Sequence, residues 1–265
     1  MTESNDREYS MLIGGTGKQY LRSSMLTLYN FCPWCFKLTL IDGVQREIPE
    51  RMKNGALFHT IMEMYHNGTF QVEQLSELPD PVQEWATWLI NIEEQKKLKP
   101  GYLRPIHTEL HLKHPDLLLE AHIDRVDWND IQHEEVEIVE YKTGAKPLSE
   151  STQLQVAFYG IVFEATTGAK VAQLVVINPR RKEIDTFPLT ASLVKKVARR
   201  VAKIRYALEI MNFPKHCTPG KWINCKLCDF EEVCLGEEIS KIEVGEEGKE
   251  VNDTEKIEVL TELTR

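Results

Sequence analysis

Apolar and polar positions alternate along the chain with two different periods. In NGALFHTIMEMYHNG, Leu57, Ile61, Met64 and Tyr65 recur at helical spacing between two Asn-Gly pairs, which predicts a helix bounded by those pairs. A helix starts near Ser23 or Ser24 and runs towards Cys32-Pro33. PVQEWATWLINIEEQ, after the turn-like LPDP, is another amphipathic helix. Strand-like runs follow at Ile106–Lys113, Leu117–Trp128 and Glu135–Lys142, separated by HPD and NDIQ. A helix over Glu150–Ala165, a buried strand AQLVVIN, a short strand at Ile184–Phe187 and a long helix over Ala191–Met211 complete the pattern. Three strands, a helix and a further strand predict an α/β fold: a mixed sheet made of an antiparallel meander and a crossover, flanked by helices.

The chain has 265 residues, 42% hydrophobic and 28% charged, enough to bury a substantial core. No apolar run reaches membrane-spanning length and the N-terminus is polar, so a cytoplasmic protein with no membrane partner is expected, in a host cytoplasm if the source is viral. The net charge of −9 is unevenly spread. Residues 236–265 hold ten Asp/Glu against four Lys/Arg, which leaves only −3 for the rest. Residues 1–19 read as a flexible arm, 20–236 as one domain and 237–265 as an acidic, disordered tail. GGTGKQ, at Gly14 to Gln19, is not a phosphate loop: Leu12 stands where the first glycine belongs, and Gln19 replaces the Ser/Thr.

In IVEYKTG, Glu140 and Lys142 are two residues apart at the end of a strand and share a face. Asp124 ends the apolar part of LLLEAHIDRVDW. An acid in such a strand pays desolvation unless a cation or hydrogen bonds offset it. If Asp124 and Glu140 end neighbouring strands, they form a hard oxygen site for Mg²⁺ or Mn²⁺. Lys142 beside it can stabilise developing negative charge or position water. Carboxylates, a metal-activated water and a cation are the requirements of phosphodiester hydrolysis. Each residue also has an ordinary reading: a surface ion pair, an Asp124 partner in Arg125 or Arg104, a packed helix histidine. Glu109 is either a supporting acid or part of a solvated strand face.

AHIDRVD followed by IVEYKTG resembles the core of the PD-(D/E)XK nuclease superfamily, in its RecB-like branch. QVAFY supplies a Q-x-x-x-Y pair in Gln155 and Tyr159, and GALFH supplies His59. The predicted order is similar to that family's αβββαβ, restriction-endonuclease-like core. The resemblance implies that His59, Asp124, Glu140 and the Tyr141 carbonyl hold the metal. It implies that Lys142 serves catalysis and that Gln155 and Tyr159 orient the site or contact DNA. Ala121 departs from the glycine usual at its position.

Six cysteines in an intracellular chain point to metal or redox chemistry rather than disulfides. Cys225, Cys228 and Cys234 have C-x₂-C-x₅-C spacing, and NFCPWCF near the start can supply a fourth thiolate if the ends meet. Spacing alone leaves zinc and iron–sulfur open. An early Cys-Pro and a late C-x₂-C-x₅-C around such a core resemble the iron–sulfur nucleases, among them CRISPR-associated RecB-like exonucleases and the nuclease domains of AddAB-type helicase–nucleases. That resemblance implies a structural [4Fe–4S] cluster on Cys32, Cys225, Cys228 and Cys234. Cys35 and Cys217 read as packed or free thiols, with a swapped cluster ligand or a zinc ligand as the alternative.

The run Lys195–Arg205 carries six basic residues and no acid, and NPRRK adds Arg180, Arg181 and Lys182. Beside a nuclease site these are a candidate phosphate track, although charge runs are usually solvated faces. Trp34 and Trp222 are candidates for base stacking or for packing. The expected activity is a DNA exonuclease acting on ends or single strands, with a helicase, recombination or CRISPR partner. The alternatives are a structure-specific endonuclease and a non-hydrolytic DNA-end adaptor.

Overall fold

A computed structural model describes residues 20–44, 50–99, 105–129 and 134–216, with Cys228, Phe230 and Cys234. The predicted arm, the acidic tail, Cys217, Trp222, Cys225 and Arg104 lie outside the described residues. A two-residue strand β1 (Leu21–Arg22) leads into helices α1 (Ser23–Phe31), α2 (Pro33–Leu40) and α3 (Glu50–His66). A 3₁₀ helix (Val72–Glu77) and α4 (Val82–Lys97) precede the meander β2 (His107–His114), β3 (Leu119–Trp128) and β4 (Glu135–Tyr141). Helix α5 (Glu150–Thr167), β5 (Lys170–Asn178), β6 (Glu183–Phe187) and α6 (Ala191–Glu209) follow.

The mixed α/β architecture agrees with the sequence pattern, with two differences in the helices. The first helix ends at Phe31, and Cys32 turns the chain into α2, which the pattern did not show. Pro33 at the first position of α2 accounts for both the stop and the restart. Helix α3 begins at Glu50 and runs through Asn54-Gly55 instead of being capped by them.

The six strands form one sheet, with the path β1-β3-β4-β5-β6 and β2 on the other edge of β3. Both β2–β3 and β3–β4 are antiparallel, whereas α5 carries the chain to β5 parallel to β4. Strands β4 and β5 are central and buried on both faces, which explains their nearly continuous apolar sequence. One core, with residues from α1, α5 and α6, covers one face of the sheet; the other, from α3 and α4, covers the opposite face. Ser149 caps α5, accepting from the Thr152 backbone N–H, and Gly168 closes that helix in the left-handed conformation at φ 77°.

The pairing of β3 and β4 stops at Arg125–Val139, one step short of Asp124 and Glu140. Beyond that point the same edge of β3 is taken by β1, at Leu119 and Glu120. The sheet therefore forks where the two acids stand.

Candidate active site

At the fork, Asp124 bonds to the chain opposite with its side chain. Its Oδ2 accepts from the Tyr141 backbone N–H at 2.6 Å. Strand β4 stays in register with β5 through Glu140–Val176 and Tyr141–Ile177, and the Lys142 N–H donates to the Ile177 carbonyl at 2.9 Å. Glu140 and Lys142 are thus held by the parallel neighbour after the antiparallel one has left. Lys142 Nζ lies 2.5 Å from Glu140 Oε1, as strand alternation requires of residues two apart.

Helix α5 reaches the same oxygen from below. Gln155 Nε2 donates to Glu140 Oε1 at 3.0 Å and to the Tyr159 hydroxyl at 2.9 Å, and Ser23 Oγ donates to that hydroxyl at 2.9 Å. Gln155 and Tyr159 are one helical turn apart and bond to each other. Ser23, at the start of α1, carries no signal of this role in the sequence.

Helix α3 supplies His59, whose Nδ1 is 3.2 Å from Asp124 Oδ1 and 3.9 Å from Glu109 Oε1. Ligand atoms of His59, Glu109 and Asp124 all lie within 4.8 Å of one another. Glu109 has φ 47°, rare for a non-glycine residue in a strand, and sits opposite Asp124 between the Thr108–Arg125 and Leu110–Ile123 pairs. A helical glycine lets α3 come this close: a Cβ on Gly55 would stand 2.9 Å from Thr143 Oγ1.

Glu140 is 2% exposed, and its second oxygen, Oε2, is buried with no hydrogen-bond partner among the described residues. Burial and the neighbouring Asp124 push its carboxyl up to about 8, against Lys142 and His59. Burial raises Asp124 too, but His59, the Tyr141 N–H and Lys142 outweigh it and hold this acid below its usual value. Burial opposes charge on His59, yet Asp124, Glu140 and Glu109 push it up to about 9. Lys142 is raised by Glu140 and Asp124 despite burial, so it stays charged. At this site, among the described residues, the ligand atoms close enough to share one ion are those of His59, Glu109 and Asp124, and the orphaned oxygen of Glu140 lies beside this group as a further hard acceptor.

Behind β4 lies a polar network that the sequence did not reveal. Arg125 is buried and grips Asp127 with two nitrogens, and its Nη1 reaches Glu93 at 3.2 Å, His66 Nε2 at 3.1 Å and the Tyr141 hydroxyl at 3.4 Å. Burial and then Arg125 push His66 down to about 3, so it is neutral. The network ties α3 and α4 to the residue whose N–H holds Asp124.

Two grooves meet at Lys142. One, of about 1160 Å³, is lined by His59, Glu109, Thr143, Lys146 and Arg180 among others; the second, of about 650 Å³, runs past Arg22, Gln155, Cys35 and Cys228. Helix α6 lines neither: it packs on α5 and α1, Lys196 pairs with Glu150, and Arg205 bonds to the Leu117 carbonyl. Arg181 and Lys182 pair with Glu183 and Glu84.

At the far end of the second groove, Cys32, Cys35, Cys228 and Cys234 gather with Phe230 and Trp34 in one apolar group. Cys35 has its Sγ 3.2 Å from that of Cys228. Burial, then Cys228 and Cys32, push the Cys35 thiol up, and burial and Cys228 do the same to Cys234 against Lys215. Lys37 and Lys215 stand over the Trp34 ring at 5.1 and 4.9 Å. Cys32 and Cys35 are buried and Cys228 and Cys234 half-buried, and of these described thiols Cys35 and Cys228 are in direct contact.

The sequence profile of the PD-(D/E)XK nuclease superfamily matches residues 23–235. No curated protein matches the chain. Among solved structures, one from Eubacterium rectale, described as a "putative exonuclease", shares 12% identity with a TM-score of 0.53, covering 96% of this chain and 97% of that one. Another, SSO0001, shares 14% identity over 88% of this chain and 95% of that one, with a TM-score of 0.37.

Proposed function

Because the chain belongs to the PD-(D/E)XK nuclease superfamily, we propose that it hydrolyses phosphodiester bonds of DNA at the Asp124–Glu140–Lys142 fork. The observation that carries this reading is Glu140, with one oxygen bound by Lys142 and Gln155 and the other buried beside Asp124 with no partner among the described residues. Asp124, Glu140, His59 and the Tyr141 carbonyl would hold a cation of the Mg²⁺ or Mn²⁺ class, which would supply Lewis acidity and acidify the attacking water. Lys142 keeps its proton and offers positive charge where the phosphate becomes more negative. Gln155, buttressed by Tyr159 and Ser23, fixes the Glu140 carboxylate in one rotamer. Lys146 and Arg180 line the groove that leads to this point and suit a phosphate backbone.

An end-directed reaction on single strands accords with the two grooves that meet at Lys142 and with the description of the Eubacterium rectale protein, a likeness of fold alone. A [4Fe–4S] cluster on Cys32, Cys225, Cys228 and Cys234 accords with the gathering of Cys32, Cys228 and Cys234 in one apolar group, and would staple the late cysteine segment to α1 and α2. The test is degradation of DNA labelled at the 5′ or 3′ end, single- and double-stranded, in Mg²⁺ or Mn²⁺, by wild type and Glu140→Ala. The expected result is stepwise shortening from one end by wild type only. Tight binding without turnover in either metal would make the protein a DNA-end adaptor instead.

A further inference from the structure

Along β2 and β3, past the acid site, stands a second group of metal-ligating side chains. His111 and His122 are direct partners in the antiparallel ladder, and Glu120 precedes His122 by two residues on the same face of β3. His111 Nε2 is 2.7 Å and His122 Nε2 3.4 Å from the same oxygen, Glu120 Oε1. One ligand atom from each residue lies within 4.8 Å of the other two. With metal–nitrogen bonds of about 2.0–2.1 Å, neighbouring donors of a tetrahedral ion stand roughly 3.4 Å apart. The His122–Glu120 distance matches that spacing, and the other two donor pairs lie within 4.8 Å.

We propose that His111, Glu120 and His122 bind a transition-metal ion of the zinc class, with the remaining position open to solvent. Two imidazoles and one carboxylate favour Zn²⁺ over Mg²⁺, which prefers an all-oxygen shell. A cross-strand His–Glu pair accounts for one of the contacts but not for a second imidazole aimed at the same oxygen. The rings now stack at 4.1 Å and 12°, so coordination needs them to splay. Rotation about χ2 is soft, and the histidine side chains, 44% and 55% exposed, are free to make it while Glu120, at 14%, stays anchored. Lys113 Nζ, 3.7 Å from Glu120 Oε1, yields its place to the ion by swinging into solvent. His122 stands one two-residue step from Asp124, about 7 Å along β3. The ion would clamp the edge strand β2 and place positive charge beside the nuclease fork, whether or not the fork cuts DNA.

Zinc uptake by the metal-stripped full chain tests the site. Equilibrium dialysis and elemental analysis compare wild type, His111→Ala/His122→Ala and Glu140→Ala. Zinc on the cysteines or at the acid fork is common to wild type and the double variant and cancels between them. Wild type is expected to hold about one zinc ion per chain more than the double variant, and Glu140→Ala to keep that ion. Imidazole NMR signals of His111 and His122 in wild type should move together as zinc is added, a readout that needs no variant. Equal zinc in wild type and the double variant, or ring signals that stay in place, overturns the proposal.

Discussion

Glu140 has two oxygens in opposite circumstances. One is shared by Lys142 and Gln155, while the other is buried with no partner among the described residues. Without a cation this acid favours its proton up to about pH 8, and His59 keeps its own up to about 9. Both groups have folded-state values above their unfolded ones. Their contribution is therefore complete below the unfolded values and is lost as pH rises through about 8 and 9. Metal-stripped protein is expected to melt at a lower temperature at pH 9 than at pH 6.5. Mn²⁺ should raise the melting point more at the higher pH, because the proton on Glu140 no longer competes with the metal. Thermal melts at the two pH values, with and without Mn²⁺, check this, and Glu140→Gln should remove the carboxylate's share of the trend. The pairs Glu140–Lys142 and Gln155–Tyr159 were legible in the sequence because each joins residues at a short, fixed spacing on one strand end or helix face, while Asp124 stood out as an acid in an apolar strand. Ser23, Glu93, His66 and Cys35 were not, since their partners are brought to them only by the tertiary fold. Ser23 and Tyr159, for example, bond across 136 positions.

Among the elements, α3 shows how a boundary misreads. Asn-Gly resembles a helix stop, yet Gly55 lies inside the helix, where it costs roughly 1 kcal/mol relative to alanine. The close approach of Thr143 Oγ1 explains its presence, a contact that no local pattern encodes. Gly55→Ala should therefore lower activity by displacing α3 and, with it, His59. It should also fail to give the stabilisation of about 0.4–1 kcal/mol that the same change gives at an unhindered helical site. Thr143→Ala removes the obstructing hydroxyl, so the double variant should recover both the stability and the activity lost by Gly55→Ala. Urea unfolding and initial rates of DNA cleavage measure the two effects. Strands β2 to β6 and helices α4, α5 and α6 were readable to within a few residues from their apolar patterns, whereas the two-residue β1 was not. Helix α2, eight residues straight after another helix, was too short to establish a period of its own.

Across the whole molecule, the sheet does two things with one strand pair. Antiparallel pairing brings β3 and β4 together, and its early end parts them, leaving Asp124 and Glu140 at a fork that β5, α3 and α5 close from three sides. The mixed sheet was expected from the order of elements. The fork was not, since register is a property of strand pairs rather than of either strand. Helix α6 has the charge pattern of a nucleic-acid track but packs on α1 and α5 and lines neither groove, whereas Arg180, from the basic NPRRK run, does line the first. Mn²⁺ binding by electron paramagnetic resonance and cleavage of end-labelled DNA, measured on the same samples of wild type, Glu140→Ala and Lys142→Met, tests the fork most directly. Glu140→Ala should lose both metal and cleavage, while Lys142→Met should keep the metal and lose cleavage by about 10²-fold or more. A Glu140→Ala protein that binds Mn²⁺ and cuts DNA as wild type does would contradict the account.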